Sequence, residues 1–350
     1  MDFFNSLIHQ WYALFKRDLP WRKTKDPYFI WLSEIILQQT RIDQGLAYYL
    51  KFAEEYPTVS DLANATEDQI LKIWQGLGYY SRARNLHFTA KFIAEQYYGK
   101  FPDNYHSILI LKGIGEYTAA AIASISFNQE YPAIDGNVFR VLSRFFGISD
   151  PIDTAAGKKI FKELAIELIK GTDPGMHNQA LMEFGALQCT PKSPDCLNCV
   201  LNERCYAFNT KKTTNLPVKL KKPKQRERYF NYFVLSFNNY IWIEKRVGKD
   251  IWENLFEFPM VETSTATSIE TLFSIPEVNR LIIPDCSIVE KIDDWKIHLL
   301  THQKIYFRII TVSLLQENKM PDNLIRVNKE DIFNFAVPKL LETYLLSNKV

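Results

Sequence analysis

The chain has 350 residues, of which 42 are Lys or Arg and 40 are Asp or Glu, so its formal net charge is +2. At about 100–200 residues per domain, this length indicates two domains. A hydrophobic fraction of 47% with 23% charged residues excludes a largely disordered chain. The near-neutral total also excludes a uniformly basic, histone-like binder.

The positive charge is concentrated in residues 211–228, which hold eight basic residues and a single acid, Glu227. Pro217, Pro223 and the lack of a hydrophobic period favour an exposed linker between two domains. A solvated hinge without a partner and a strip that contacts a polyanion both fit this composition.

No segment is typical of export or of a membrane span. The N-terminal residues lack the basic and apolar regions of a signal peptide. The longest apolar candidate, around Ala119–Phe127, is far shorter than the ~20 residues that a span needs. We expect a soluble, intracellular protein.

The first 205 residues have hydrophobic residues at helical spacing, interrupted by short breaks that contain Pro or Gly. Helices are predicted over Phe3–Phe15, Tyr28–Gln39, Gln44–Tyr56, Glu67–Trp74, Arg82–Tyr97, Tyr117–Ser126, Val138–Phe146, Lys158–Ile169 and Asn178–Leu187. This pattern predicts an all-helical domain with short connections.

The chain that follows the basic stretch has a different pattern. Residues 229–243 and 297–312 are rich in Tyr, Phe, Val and Ile, which favours strands, and helical spacing returns near 267–280 and 329–346. We therefore expect an α+β domain. The predicted helical domain, basic linker and α+β domain span residues 1–210, 211–228 and 229–350.

Four of the five cysteines fall within seventeen residues, which favours a metal site over disulfides in an intracellular protein. Their intervals of six, two and five residues contain one close pair, whereas structural zinc sites usually have two. An iron–sulfur cluster is therefore favoured, with zinc as the alternative. Cys286 is expected to be a small buried apolar residue. The clustered cysteines are Cys189, Cys196, Cys199 and Cys205.

The segment LKGIGEYTA has two glycines, Gly113 and Gly115, that permit a tight turn between helices. Backbone N–H groups exposed at the start of the next helix suit an anion such as a DNA phosphate, with a bridging monovalent cation. An ordinary turn between two helices would have the same sequence.

The sequence around Glu34 and around Asp135 suggests a chemical role for each of these carboxylates. Glu34 is the only charged residue between Asp26 and Arg41, and apolar neighbours should raise its pKa towards that of a general acid at neutral pH. The alternative is that Glu34 and Gln38 share a hydrated helix face. Asp135 precedes a predicted helix, where it would be the N-cap and could also direct a negative charge into a cleft.

Residues 76–84, GLGYYSRAR, place aromatic side chains at a Gly-rich helix start before two arginines. This composition suits insertion into a base stack together with contacts to the nucleic-acid backbone. Core aromatic residues with solvated arginines are the alternative.

Together these motifs resemble the endonuclease III superfamily of base-excision DNA glycosylases. The segments LPWR, WLSEIILQQT, GLGYYSRAR, DGNVFRVLSR and NQALMEFGALQCTP narrow the resemblance to the adenine DNA glycosylase (MutY) family. Matching motifs are closely spaced over residues 19–208 and fewer beyond them. Strand-cleaving members of the superfamily have a nucleophilic lysine where this chain has Tyr117, so the resemblance implies a monofunctional enzyme.

The resemblance implies excision of adenine paired with 8-oxoguanine or guanine in double-stranded DNA, by a cytoplasmic, nucleoid-associated monomer. It implies that Glu34 protonates the base and that Tyr117 and Asn137 orient the carboxylates. Asp135 would either stabilise the sugar cation or trap it as a transient covalent adduct. The four clustered cysteines would hold a [4Fe-4S] cluster. The implied contacts to DNA or to the lesion are Gln39, Tyr79, Arg22, Gly113, Gly115, Thr301 and His302.

The second half resembles the family's MutT-like (Nudix-fold) recognition domain. Its WENLFEFP segment resembles the GLWEFP element, with Asn254 at the glycine position, and no glutamate-rich helix that could hold Mg²⁺ is present. Leu300-Thr301-His302 replaces the usual Phe-Ser-His of the loop that senses 8-oxoguanine. Thr301 keeps the hydroxyl group of the serine, but Leu300 lacks the aromatic ring of the phenylalanine.

There are two alternative functions for the whole chain. A pyrimidine glycosylase/lyase is disfavoured by Tyr117, and an inert DNA-binding module is disfavoured by the coexistence of Glu34 and Asp135.

Overall fold

A computed structural model describes residues 1–220, 225–282, 285–316 and 320–348. The chain divides into two compact units. The first unit consists of Met1–Asn64 and Asn85–Lys221, and the second of Ala65–Arg84 and Lys222–Val350. Residues 65–84 therefore belong with the C-terminal part of the chain, which the sequence pattern did not indicate.

Short helices dominate the first 209 residues. In chain order they are α1 (Asp2–Phe15), α2 (Pro27–Leu37), α3 (Ile42–Glu55), α4 (Val59–Asn64), α5 (Glu67–Trp74), α6 (Ser81–Gln96), α7 (Tyr105–Leu109), α8 (Glu116–Phe127), α9 (Gly136–Phe146), α10 (Ala155–Ile169), α11 (Pro174–Leu187) and α12 (Tyr206–Asn209). Each predicted helix is present, with bounds shifted by at most four residues.

Helix α8 lies in the interior of the first unit, since each of its residues 118–125 is buried. The apolar run at Ala119–Phe127 is thus a core helix. Among the described residues, no helix is long and apolar enough to cross a membrane. A further part of the core joins Phe4, Leu142, Phe161 and Phe184 from α1, α9, α10 and α11. This packing fixes the N-termini of α8 and α9.

The second unit is built on a mixed sheet. Its strands are β1 (Arg226–Phe237), β2 (Tyr240–Lys245), β3 (Phe256–Glu257), β4 (Met260–Thr263), β5 (Ser287–Ile292), β6 (Lys296–Leu299), β7 (Gln303–Leu314) and β8 (Leu324–Asn328). The order β3-β2-β1-β7-β5 forms the main path, with β4, β6 and β8 paired to β1, β7 and β2. Short helices α13 (Ile269–Phe273), α14 (Pro276–Leu281) and α15 (Lys339–Asn348) complete this unit.

Both predicted strand segments are divided by a turn. Residues 229–243 break at Asn238, which has φ 51, and 297–312 break between β6 and β7. Strands β1 and β7 are parallel, and the N–H of Arg226 donates to the carbonyl of His302 at 3.0 Å. The β6–β7 turn is therefore fixed beside the start of β1.

The predicted basic linker is packed at both of its described ends. Leu216 is buried, and its carbonyl accepts a hydrogen bond from Nε of Arg144 at 3.1 Å. Arg226 already lies in β1, and Arg228 is buried in an ion pair with Glu262. The central linker residues lie outside the described part of the chain, namely Lys221, Lys222, Pro223 and Lys224.

Candidate functional site

A cavity of about 600 Å³ in the first unit gathers the residues predicted to be catalytic. Glu34 comes from α2, Tyr117 from the first turn of α8, and Asp135 and Asn137 from the start of α9. Arg22 lines the same cavity. The fold therefore brings together side chains that are about a hundred residues apart in sequence.

Glu34 is held in an apolar helix that begins with a well-formed N-cap. Asp26 accepts a hydrogen bond from the N–H of Tyr28 at 2.9 Å, and most residues of α2 are buried. Burial raises the pKa of Glu34 to about 7, although a hydrogen bond from Tyr117 opposes the rise. The negative charge of Asp135 adds to it. Near neutral pH, Glu34 therefore exists in both protonation states, as a general acid requires.

Asp135 is an N-cap and also faces the cavity, so the two interpretations of this residue hold together. Its Oδ1 accepts hydrogen bonds from the N–H groups of Asn137 at 2.9 Å and Val138 at 2.8 Å. Its Oδ2 accepts one from Nδ2 of Asn137 at 2.6 Å. Burial raises the pKa of Asp135, while these hydrogen bonds oppose the rise and favour the anion.

Tyr117 is enclosed between Glu34 and α11. Its hydroxyl donates to the sulfur of Met182 at 3.1 Å, and it interacts with Glu34 closely enough to lower the pKa of that carboxyl. Burial, together with the neighbouring carboxylates, raises its pKa well above the usual value. Tyr117 therefore stays protonated and acts as a hydrogen-bond donor.

Glu183 and Arg17 also line this cavity, although the sequence analysis did not single them out. Burial alone would raise the pKa of Glu183, but hydrogen bonds from Arg17 and Arg22 lower it to about 2. Arg22, expected to contact DNA, makes two such bonds, at 2.9 and 2.7 Å. Glu183 is a lone carboxyl in the apolar segment LMEFGAL, so the reasoning that identified Glu34 would also have found it.

Helix α9 links the cavity to the cysteine-containing loop. Nη2 of Arg140 donates to Oδ1 of Asn137 at 2.8 Å, and its Nε donates to the carbonyl of Cys189 at 2.7 Å. One turn further on, Nη1 of the buried Arg144 lies 3.4 Å from the sulfur of Cys189. Helix α9 therefore carries both the arginines that contact the cysteine-containing loop and the residues that hydrogen-bond to Asp135.

The four clustered cysteines are half-buried free thiols. Burial raises the pKa of Cys199 to about 12, and the neighbouring thiols contribute to the rise. In the part of the chain that the structure describes, no three His, Cys, Asp or Glu side chains are arranged to hold a metal ion. The four thiols and the buried guanidinium of Arg144 beside Cys189 nevertheless suit a group with thiolate ligands.

The fifth cysteine, Cys286, was expected to be buried. It is partly exposed, and its sulfur accepts a hydrogen bond from Nε2 of Gln316 at 2.9 Å.

The two glycines of the LKGIGEYTA turn have different roles. Gly113 has φ +81, and a Cβ there would lie 2.7 Å from Cβ of Asn85, so the fold itself requires glycine. Gly115 is the N-cap of the 12-residue helix α8, and a Cβ there would meet nothing within 4 Å. The space in front of this helix N-terminus is thus open to an anion.

A second cavity, of about 470 Å³, lies within the second unit. Tyr79, Thr301 and His302 line it, and the hydroxyls of Tyr79 and Thr301 are hydrogen-bonded to each other. Tyr79 has φ 47 and remains 40% exposed. Three of the predicted lesion contacts, Tyr79, Thr301 and His302, therefore share one cavity.

Gln39, a further predicted contact, is exposed in the first unit, where it lies in a left-handed turn after α2 with φ 56.

Comparisons with known proteins define the class to which this fold and site belong. Residues 32–166 match the HhH-GPD superfamily of base excision DNA repair proteins, and residues 231–347 match the NUDIX domain. A solved structure described as a thermostable thymine-DNA glycosylase matches with a TM-score of 0.55 and 33% identity, over 59% of this chain and 95% of that chain. The molecule is a base-excision DNA glycosylase with a Nudix-like second domain, which confirms the predicted fold class.

Two curated relatives narrow the family. The chain is 41% identical over 268 residues to the adenine DNA glycosylase of Buchnera aphidicola subsp. Schizaphis graminum, covering 75% of this chain and 76% of the relative. It is 36% identical over 345 residues to the adenine DNA glycosylase of Buchnera aphidicola subsp. Baizongia pistaciae, covering 97% of this chain and 93% of the relative. The chain belongs to the adenine DNA glycosylase family, as the motifs predict.

Proposed function

We propose that the chain removes adenine paired with 8-oxoguanine or guanine in double-stranded DNA, by hydrolysing the N-glycosidic bond and leaving an abasic site. The observation that carries this proposal is the pairing of Glu34 and Asp135 in one cavity. Burial keeps Glu34 partly protonated, whereas N–H donors surround Asp135 and favour its anion. Because every group that this reaction uses comes from one chain, we propose that the protein acts as a monomer. We also propose that it acts on DNA in the cytoplasm.

The two carboxyl groups perform different steps of the reaction. The target adenosine leaves the base stack, which costs roughly a few kcal/mol. Glu34 then donates its proton to N7 of adenine, so that the electron pair of the breaking N-glycosidic bond leaves with a neutral base. The sugar becomes oxocarbenium-like, and the Asp135 anion stabilises its positive charge. Water adds to the sugar and gives its proton to the ionised Glu34, which restores the acid.

The reaction stops at the abasic site because the cavity offers no amine nucleophile at the position of Tyr117. A phenol cannot form a Schiff base with the sugar. The hydroxyl of Tyr117 instead donates to the sulfur of Met182 at 3.1 Å, and its proximity to Glu34 lowers the pKa of that carboxyl. It therefore positions the acid and has no covalent role.

The turn before α8 is proposed to bind a DNA phosphate, with a monovalent cation bridging to its carbonyl groups. Gly113 fixes the left-handed backbone there, and Gly115 leaves the helix N-terminus uncovered. The helix dipole and the free N–H groups favour an anion at this position.

Gly115→Ala tests the phosphate proposal. Because a Cβ meets nothing within 4 Å, the variant should keep the melting temperature of the wild-type protein. A methyl group in front of the helix N-terminus should weaken duplex binding by about tenfold, since it holds the phosphate away from the N–H donors. Unchanged duplex affinity in a fluorescence anisotropy titration would contradict the phosphate site.

The second cavity is proposed to bind the base opposite the target adenine. Thr301 offers a hydroxyl donor and acceptor, and Tyr79 is held against it at a backbone conformation that exposes its ring. An exposed aromatic ring beside a polar group suits a base that is both stacked and hydrogen-bonded. His302 lines the same cavity and completes the proposed contacts.

Cys189, Cys196, Cys199 and Cys205 are proposed to hold a [4Fe-4S] cluster that stabilises the loop and supports DNA binding. When bound, the cluster would supply a buried, thiolate-ligated centre without taking part in hydrolysis. The guanidinium of Arg144 beside Cys189 would offset part of its negative charge. We expect purified protein to be yellow-brown and to contain iron and acid-labile sulfide in equal amounts. A colourless, fully active preparation that contains zinc would contradict this assignment.

One assay tests the proposed function as a whole. The protein is incubated with a duplex that has a single A·8-oxoG pair and a label on the adenine strand, and strand breaks are counted with and without hot alkali. Breaks that require alkali support a monofunctional adenine glycosylase. Breaks without alkali would indicate a lyase, and no breaks at all would indicate an inert binding module.

A further inference from the structure

Residues 65–84, which lie in the second unit, are attached to the rest of that unit along their length. Nζ of Lys245 lies 2.6 Å from Oδ1 of Asp68. Nε2 of Gln75 donates to Oε1 of Glu342 at 2.7 Å. The segment is therefore fixed by polar contacts as well as by packing.

Two consecutive residues, Glu253 and Asn254, contact both ends of this segment. Nη2 of Arg84 lies 2.7 Å from Oε2 of Glu253, and its Nη1 donates to the Glu253 carbonyl at 2.9 Å. Nδ2 of Asn254 donates to Oε1 of Glu67 at 2.5 Å. The side chains of Arg84 and Glu253 are only 19% and 28% exposed, so solvent screens their attraction incompletely. We call Glu253 and Asn254 the clamp.

Asn254 is able to form its bond because of its backbone conformation. It has φ 67, in the left-handed region that Gly adopts most easily and that Asn and Asp tolerate better than other residues. Glycine would fit the same backbone but would lack the amide that reaches Glu67. The choice of asparagine therefore adds a contact without changing the turn.

The segment that the clamp holds carries Tyr79. The hydroxyl of Tyr79 is bonded to Thr301, and both residues line the second cavity. Glu253 and Asn254 do not line this cavity themselves, although Trp252 does. Their influence on a bound base would therefore pass through residues 65–84, whose Arg84 lines the cavity together with Tyr79.

We propose that Glu253 and Asn254 are positioning residues for recognition of the base opposite the target adenine. By clamping both ends of residues 65–84, they keep Tyr79 against Thr301 and so set the preference for 8-oxoguanine over guanine. This inference rests on the proposed function of the second cavity. It assigns to the clamp an effect on discrimination and none on the bond-breaking step.

The test uses full-length protein and compares single-turnover excision of adenine from A·8-oxoG and A·G duplexes. Asn254→Asp keeps the backbone conformation but places a second carboxylate against Glu67. Asn254→Gly only removes the bond. The double variant Glu67→Gln with Asn254→Asp restores a hydrogen bond with the donor and acceptor exchanged. Asn238→Gly is the matched control, since Asn238 is also left-handed, with φ 51, and lies in the β1–β2 turn of the same unit.

The ratio of the two excision rates should fall about three- to tenfold in Asn254→Asp, as expected for the loss of one hydrogen bond together with repulsion between two carboxylates. It should fall less in Asn254→Gly, return in the double variant, and stay unchanged in Asn238→Gly. Rescue by the double variant separates positioning from a general loss of stability. If Asn254→Asp lowers the melting temperature, Asn254→Gly and its control provide the comparison.

Three results would overturn the inference. These are an unchanged ratio in Asn254→Asp and Asn254→Gly, an equal loss of rate on both duplexes, and failure of the double variant to restore the ratio. A wild-type protein that excises no adenine from either duplex would instead contradict the proposed function on which the inference rests.

Discussion

Glu34→Gln should abolish excision of adenine while the variant still binds a duplex with an A·8-oxoG pair. Glutamine keeps the shape of the side chain but cannot donate an acidic proton or accept one from water. Positioned general acids contribute about 10²–10⁴-fold, so a loss of at least this size is expected in single-turnover rates. The affinity for the duplex, measured in parallel, should stay within a few-fold of the wild-type value.

The thermal stability of Glu34→Gln shows whether a loss of excision comes from a loss of folding. Burial raises the pKa of Glu34 from 4.5 to about 7 in the folded protein. The folded state therefore holds this proton more tightly than the unfolded state does. Glu34 thus favours folding at low pH, and this contribution is lost as the pH rises from about 4.5 to about 7. At pH 8 the variant should melt at or above the wild-type temperature. A variant with near-normal turnover would show that Glu34 is not the acid.

Asp135→Asn should lose about 10²–10³-fold in the excision rate while it retains the cap of α9. Asparagine is as good an N-cap as aspartate, so its side-chain oxygen can still accept from the N–H groups of Asn137 and Val138. Its amide nitrogen replaces Oδ2, however, so the hydrogen bond from Nδ2 of Asn137 is lost, which should cost about 1 kcal/mol of unfolding free energy. What disappears is the negative charge that stabilises the sugar cation. Single-turnover excision and thermal melting of the same preparation separate these two roles.

Asp135→Ala is the matched comparison for Asp135→Asn. Alanine removes both the charge and the cap of α9, so it should also cost about 1 kcal/mol of unfolding free energy. The two variants should be similarly inactive, both should lose the hydrogen bond from Nδ2 of Asn137, and only Asp135→Ala should also lose the cap bonds. An Asp135→Asn enzyme with nearly wild-type excision rates would show that the charge at this position is not needed.

The helical part of the fold was predictable where local signals agree with one another. Helix α5 was predicted with its observed bounds from its hydrophobic spacing alone, and the structure shows that a capping box of Thr66 and Gln69 also fixes its start. The short helices α4 and α7 were missed, since five or six residues show too little periodicity to be recognised. The turn at Asn238 and Asn239 was missed because strand-forming residues flank it on both sides, and the turn between β6 and β7 was missed for the same reason.

The site was predictable where one residue type stood out from its surroundings. Glu34 and Asp135 were identified because a carboxyl in apolar sequence and an aspartate before a helix each have a physical meaning. The pairing of Arg22 with Glu183 was not predictable, since it joins residues more than 160 positions apart. The attachment of residues 65–84 to the second unit was missed for the same reason. The proposed roles of these residues remain predictions.

The pH dependence of single-turnover adenine excision on fully bound A·8-oxoG duplex tests most directly the claim that a buried, partly protonated Glu34 supplies the proton. Burial raises the pKa of this group to about 7, so the protonated fraction falls as the pH rises through that value. We expect the excision rate to decline above about pH 7 with the slope of a single proton. A rate that stays constant from about pH 6 to about pH 9 would contradict it.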